Sequence, residues 1–512
     1  MNNPVSNPGE SVFPQSVIDA FSRDPAAPAF EFRSRQVSRG EVLEQIRRCV
    51  AHLRGRGLGP GGSVALTTAV TPGAFAAQIA AHLLGCRVTG LRPGLTPGQL
   101  AHVLSQGVDA VVADASTRGA ELLAAAGPVP VLDLDQDLLA TEPDRSPDAL
   151  VPRGRPDDAA LVTLTSGSTG NPKGCAMPYR AFAGHWSWQP AGWSPVVREL
   201  AERYRRFLVF GTLTSAVMLE HVGLALLGGG TAIIPDAPLV FPQVFEKHRI
   251  TACLCTVPRL YQILDALRTE DVDTSSLRAL LVAGSPLPPH RLAEAVERLG
   301  HAVHQGYGQT ETGMLALLTP GDLAEHGASV LDSVGRPLPG VDVELRDPHG
   351  GPAASGAAGE IWVRTAGAMA GDWRDPAETA EVVRDGWIRT RDLGTLGEDG
   401  FLRLIGRSRE VVFVNAILHY AGAIEAALAA HPDVDQAFVV AAPDEETGEA
   451  AHAFIVPMPG RTGPSADVLR DAVRARLGEG AVPATVTVLD AVPVAPSGKP
   501  DKKALLSRVT GG

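Results

Sequence analysis

The chain reads as an α/β protein of more than one domain, and three observations predict this. Apolar runs of strand length alternate with helix-length segments, which builds parallel sheet covered on both faces. At 512 residues the chain exceeds what one hydrophobic core supports, so two to four domains are expected. A loop rich in glycine and hydroxyls follows directly on a strand-like run at 160–163. Such a loop behind a strand suits the binding of an anion.

In the first 150 residues, 64–68 reads as a strand and 72–84 as a helix opened by Pro72 in its first turn. Segments 108–113 and 129–134 read as further strands. The stretch 141–158, rich in Pro, Asp and Arg, reads as a linker into the strand at 160–163. After an apolar run at 207–210, Gly211-Thr212-Leu213-Thr214-Ser215 reads as a strand-to-helix turn, with Thr214 or Ser215 as the cap. Segment 277–282 reads as a strand ending in Ala283-Gly284-Ser285-Pro286-Leu287. No fixed-period repeat is evident.

Composition narrows the functional classes. Apolar residues make up 45% and charged residues 20%, the balance of an ordinary globular protein. A net charge of −12 gives no support for a nucleic-acid or anionic-membrane surface, so a polyanionic ligand needs a local positive site. The longest apolar stretch, 222–234, is broken by Gly228-Gly229-Gly230 and is too short to span a bilayer. The opening MNNPVSNPGESVF lacks the basic start and apolar segment of a signal peptide, and a cytoplasmic protein is expected. Cys49, Cys86, Cys175, Cys253 and Cys255 show no CxxC spacing, so neither zinc nor structural disulfides are expected. Cys253 and Cys255 read as core residues. With only 5 lysines among 45 basic residues, Lys173, Lys499, Lys502 and Lys503 stand out.

The loop itself reads Thr163-Leu164-Thr165-Ser166-Gly167-Ser168-Thr169-Gly170-Asn171-Pro172-Lys173-Gly174. Glycines let backbone N–H groups approach a phosphate, hydroxyls add donors, and the lysine adds a point charge. It is not a Walker loop, because Lys173 lies between Pro172 and Gly174 rather than before Ser or Thr. Further on come Gln305-Gly306-Tyr307-Gly308-Gln309-Thr310-Glu311-Thr312-Gly313, then Gly386-Trp387-Ile388-Arg389-Thr390-Arg391-Asp392. Gly406-Arg407-Ser408-Arg409-Glu410 and Pro496-Ser497-Gly498-Lys499 close the series.

Taken in this order, the motifs resemble those of the adenylate-forming superfamily: acyl- and aryl-CoA synthetases, adenylation domains of nonribosomal peptide synthetases, and luciferases. The resemblance spans nearly the whole chain. It implies a large N-terminal AMP-binding domain, 1–405, with two parallel-sheet α/β subdomains and a β-rich portion. A small, mobile α+β C-terminal domain, 406–512, would carry the catalytic lysine. The implied reaction joins a small acyl or aryl acid to AMP with loss of pyrophosphate, using ATP and Mg²⁺.

The same resemblance assigns site residues. Thr165, Ser166, Gly167, Ser168, Thr169, Gly170 and Lys173 would hold the β- and γ-phosphates. Gly284, Ser285 and Pro286 would flank adenine, Gln305 and Gly306 would belong to the ATP site, and Tyr307 would lie against adenine or simply pack. Thr310 would meet the α-phosphate, Glu311 would hold Mg²⁺, and Asp392 with Arg407 would fix the ribose. A carboxylate accepting two hydroxyls is a sound way to read a ribose, although Asp392 could also serve as a turn cap. Lys499 would bridge the acid and the α-phosphate, and Lys502 and Lys503 fit an exposed basic tail better. Arg409 would be the hinge. The acid pocket would involve Thr212, Ala283, Gly308 and Met314.

Three departures bear on the substrate. No charge stands in 211–215 to hold an ammonium, which argues against a free α-amino acid. Arg391 and Arg409 replace the residues usual in the family. Val414-Asn415-Ala416 stands where a Ser-Gly-Gly turn faces the pantetheine passage of CoA ligases, which puts CoA in doubt. A thiol, either CoA or a carrier protein, is the acceptor most common in the family, and an amine fits the altered turn better. Adenylation of nitrite for diazotisation of an aryl amine is a third option. A non-catalytic nucleotide-binding module is the alternative of another class.

Overall fold

A computed structural model of the protein describes residues 12–165, 172–415, 417–495 and 499–510. The first large sheet has seven strands. Its parallel centre runs Ala159–Thr165, Arg87–Gly90, Ser63–Thr67, Ala110–Ala113 and Val131–Asp133, in that spatial order. Lys173–Pro178 pairs antiparallel beyond Ala159–Thr165, so the phosphate-loop motif is a β-hairpin connection whose ends are fixed by a sheet. Helix Pro72–Leu83 begins as expected, with Thr71 accepting from the Ala74 N–H and proline in the first turn. Every residue of that helix is buried.

The second large sheet has nine strands. Val303–Gln309, Ala279–Ala283, Ala252–Thr256, Arg206–Leu208, Thr231–Ile234 and Pro28–Phe32 run parallel in that order. Gly313–Leu318 folds back antiparallel on Val303–Gln309. The first 150 residues therefore do not build one sheet, because Pro28–Phe32 and Arg35–Ser38 lie at the far edge of the second. Strands of five and four residues fit either sheet, and only long-range pairing selects between them. Cys253 and Cys255 are buried on a central strand, as their apolar context predicted.

An antiparallel sheet of Val341–Arg346, Gly359–Thr365, Trp387–Leu396, Val383–Arg384 and Leu402–Arg407 supplies the β-rich portion. A fourth sheet contains Val411–Val414, Ile417–Tyr420, Val434–Asp444, Gly448–Pro457 and Thr485–Val488. Helices Ala421–Ala429 and Ala466–Leu477 pack on it through Ile424, Leu428, Leu469 and Val473, so the small lobe has a core of its own. Leu402–Arg407 runs through the expected boundary at 405/406, and the change of sheet falls between Arg407 and Val411.

The two lobes are joined by a buried ion pair. Arg291, on helix Pro289–Leu299 of the large lobe, donates from Nε to Asp435 Oδ1 at 2.5 Å and from Nη2 to Oδ2 at 2.6 Å. His290 Nε2 lies 3.2 Å from the same carboxylate, and the guanidinium sits 4.6 Å from the Tyr261 ring centroid. The side chains are 1% and 5% exposed. Removing one member of such a pair costs about 3–5 kcal/mol, because the remaining charge is left buried. Swinging the small lobe away instead returns both charges to water. In Asp435→Asn the small lobe should therefore detach more often, and trypsin should cut at Arg407 or Arg409 about tenfold faster or more under native conditions. Equal cutting rates would show that the pair does not set the lobe orientation.

Candidate active site

The site lies at the carboxyl ends of the parallel strands, where open α/β sheets place ligands. Thr212 follows Arg206–Leu208, Gly284-Ser285-Pro286 follows Ala279–Ala283, and Thr310-Glu311-Thr312 follows Val303–Gln309. The Val282↔Gln305 pair brings the adenine-turn strand beside the Gln305-Gly306 segment. Gly284 has φ +95°, and a Cβ there would meet nothing within 4 Å, which leaves one face of the turn open to a flat group. Gln305 is buried and its Oε1 makes no hydrogen bond among the described residues. At Gly308 a Cβ would lie 2.2 Å from the Gly313 carbonyl, so the close strand crossing here requires glycine. The Thr212 and Thr214 hydroxyls lie 2.9 Å apart, and Ser215 caps helix Ala216–Leu227 as the turn chemistry predicted.

Asp392 is the hub of the polar groups. It stands inside strand Trp387–Leu396, opposite Arg407, and is not a turn cap. Tyr307 and Gln309 lie two residues apart on one strand, hence on one face, and both donate to Asp392 Oδ2, at 2.7 and 2.6 Å. Arg407 Nε donates to Oδ1 at 3.1 Å. Burial and the adjacent carboxylate push the Tyr307 phenol well above its usual pKa, so it remains a donor. The preceding Arg391, where the family has glycine, takes φ +60° and is held by Glu378 at 2.7 Å.

Of the phosphate-loop residues, Ser166, Gly167, Ser168, Thr169 and Gly170 lie outside the described residues. Thr165 and Lys173 close the two ends and face each other in register. Lys173 Nζ is 3.2 Å from Glu378 and 3.9 Å from Asp375. Arg391 and Lys173 together hold the Glu378 carboxyl below its usual range. Burial and the nearby Glu378 push Asp372 the other way, to about 6. Glu378 and Asp375 went unnoticed in the sequence because no motif marks them. Gln309 lies inside the 305–313 motif, but only the fold shows it reaching Asp392.

The small lobe brings Lys499 to this cleft on a turn closed by the Ala495 N–H donating to the Lys499 carbonyl at 2.8 Å. Burial and then the Arg407 charge lower its pKa, opposed by Glu311 and Asp392. These neighbours are the residues that the motifs assigned to phosphate, metal and ribose. Lys502 is not a free tail lysine: it pairs with Glu410 and, at 2.8 Å, with Glu425, fastening the terminal helix to its lobe. Arg409 is exposed, and its guanidinium makes no ion pair or hydrogen bond among the described residues.

A mononucleotide cleft between a two-sheet α/β lobe and a small lobe that delivers a lysine defines an acid-activating, AMP-forming ligase. The chain belongs to the AMP-binding enzyme family: residues 18–373 match that family and residues 423–499 match its C-terminal domain. It is 30% identical to the medium/long-chain-fatty-acid–CoA ligase FadD8 of Mycobacterium tuberculosis, over 97% of this chain and 90% of that one. It is 33% identical to a feruloyl-CoA synthase of an Amycolatopsis species, over 93% and 94%. The solved structure of amide bond synthetase McbA from Marinactinospora thermotolerans superposes with a TM-score of 0.85 at 34% identity, covering 97% of this chain and 98% of that one. The protein is an ATP-dependent, adenylate-forming ligase. No helix among the described residues is long and apolar enough to cross a membrane.

Lys499→Ala should lower acid-dependent ATP–pyrophosphate exchange by a factor on the order of 10²–10³ while leaving the melting temperature unchanged. Because the Lys499 pKa is lowered, its charge is lost at a lower pH than for an ordinary lysine. The alkaline limb of the exchange profile should therefore lie below the usual lysine range, and Lys499→Arg should shift it upward.

Proposed function

We propose that the protein adenylates a small aromatic carboxylic acid and transfers the acyl group to an amine, forming an amide. In this reading the acid carboxylate attacks the α-phosphorus of ATP in line, and positioning with charge compensation lowers the barrier. Asp392 and Arg407 orient the ribose, Thr310 the α-phosphate, and Lys173 leaves its acidic partners to meet the β- and γ-phosphates. Lys499 neutralises charge between the acid and the α-phosphate. Mg²⁺, a hard cation suited to the Glu311 carboxylate, would offset phosphate charge when bound. We place the lobe boundary just after strand Leu402–Arg407, before Val411, with Arg409 as the pivot.

The observation that carries the choice of acceptor is the hairpin Val411–Tyr420. Val414 pairs with Ile417, leaving a two-residue turn in which Asn415 takes φ +52°. Asn is one of the few residues that tolerate this geometry. Phe413, Ile417 and Leu418 around it are 44%, 60% and 40% exposed. Bulky side chains thus surround the turn that, by resemblance, is glycine-lined where pantetheine passes. The full-length similarity to an amide bond synthetase agrees with this. Thiol transfer is the second reading, favoured by the CoA-ligase relatives.

Incubating the enzyme with an aryl acid panel, ATP and Mg²⁺, and then with either CoA or a primary aryl-alkyl amine, should yield amide in excess of thioester by mass spectrometry. Thioester as the dominant product would return the protein to the CoA ligases.

A further inference from the structure

Helix Ala216–Leu227 starts at the pocket turn, and its second residue, Val217, is 41% exposed although the helix is otherwise almost wholly buried. Glu220 lies three positions on, hence on the same helix face and one turn deeper. It is 4% exposed and makes no hydrogen bond among the described residues. His185, also 4% exposed, faces it: Nε2 lies 3.3 Å from Glu220 Oε1 but is misaligned, and it too makes no hydrogen bond. The His185 tautomer is fixed from the other side. The Ser187 N–H donates to Nδ1 at 3.3 Å and the Ser187 hydroxyl, 2.9 Å from Nδ1, can donate to it as well, so Nδ1 accepts and the proton belongs on Nε2. Two buried polar side chains with unmet hydrogen-bonding capacity are costly, unless a partner arrives from outside the chain.

Their position relates them to the acid pocket. The His185 ring is held between Gly313 and Gly367, where an added Cβ would lie 2.6 Å from Nε2 and 2.6 Å from Cδ2 respectively. At Gly313 the same Cβ would be 3.5 Å from Glu220 Oε1. Gly313 is flanked by the Thr310-Glu311 turn and by Met314, which packs beside Gly306 and Gly308. The pair thus lies against Gly313, between the Thr310-Glu311 turn and Met314, the residues that the motifs assigned to the α-phosphate, the metal and the acid pocket. Burial pushes the Glu220 carboxyl up to about 8, so near neutral pH it is mostly protonated and is no counter-ion for an ammonium.

We propose that Glu220 and His185 form the deep end of the acid pocket and read a phenolic hydroxyl on an aromatic acid, at the edge away from its carboxylate. A hydroxyl satisfies both groups at once, donating to a Glu220 oxygen and accepting from the His185 Nε2–H. An unsubstituted ring leaves both unpaired, and a site built around a hydroxyl rejects the analogue lacking it. This inference rests on the adenylation reading and names its substrate class.

The test is acid-dependent pyrophosphate release with hydroxylated benzoates and cinnamates, each against its deoxy parent, for wild type, Glu220→Gln and Glu220→Leu. Wild type should favour at least one hydroxylated acid by about 10–100-fold in kcat/KM. Glu220→Leu should bring that ratio below about threefold, and Glu220→Gln, which keeps shape and a hydrogen-bonding head, should retain part of it. Thermal melting of both variants checks folding. Ratios near one in wild type, or a ratio unmoved in Glu220→Leu, would overturn the inference while leaving adenylation intact. Absence of pyrophosphate release with every acid would instead overturn adenylation itself.

Discussion

Joining a carboxylate to a triphosphate brings like charges together, and the arrangement of this molecule follows from that constraint. A protein carrying a net charge of −12 must concentrate its cations where the anions meet. Arg407 and Lys499 arrive from the end of the β-rich sheet and from the small lobe, while Lys173 stands at the mouth of the first sheet. The Arg291–Asp435 pair keeps the small lobe in the orientation that brings Lys499 to Glu311 and Asp392.

The cations are themselves restrained by carboxylates. Lys173 rests on Glu378 and Asp375, and Arg407 on Asp392. Unpaired, these groups would repel one another across a confined cleft. Paired, they stay ordered at modest cost, since partly exposed ion pairs are worth about 1 kcal/mol or less. A triphosphate, carrying more charge than either carboxylate, can displace them.

Much of the fold was legible in the sequence where a local rule suffices. Pro72 predicted a helix start and Gly211–Ser215 a capped turn, because such signals depend on neighbours in sequence. The glycines of the motif at 305–313 marked a close strand crossing, which demands glycine at Gly308. What stayed hidden depends on partners distant in sequence. The placement of Pro28–Phe32 in the second sheet is decided by Thr231–Ile234, some two hundred residues on. Lys502 read as a tail lysine because its partners, Glu410 and Glu425, carry no motif. Glu220 and His185 gave no sign at all, since a lone carboxylate in an apolar helix has the same sequence whether it is paired or waiting for a ligand.

That distinction separates two kinds of buried polar group in this molecule. Tyr204 and His221 are buried too, but their hydroxyl and Nδ1 lie 2.9 Å apart, and each answers the other. Asp435 is buried and answered by Arg291. Asp392 is answered by three donors. Core packing alone would have favoured an apolar residue at position 220, as at Leu219 and Val222 beside it. A carboxyl retained there, with only the misaligned His185 Nε2 3.3 Å away, imposes a stability cost, and in the proposed reading a hydroxyl entering the pocket offsets it.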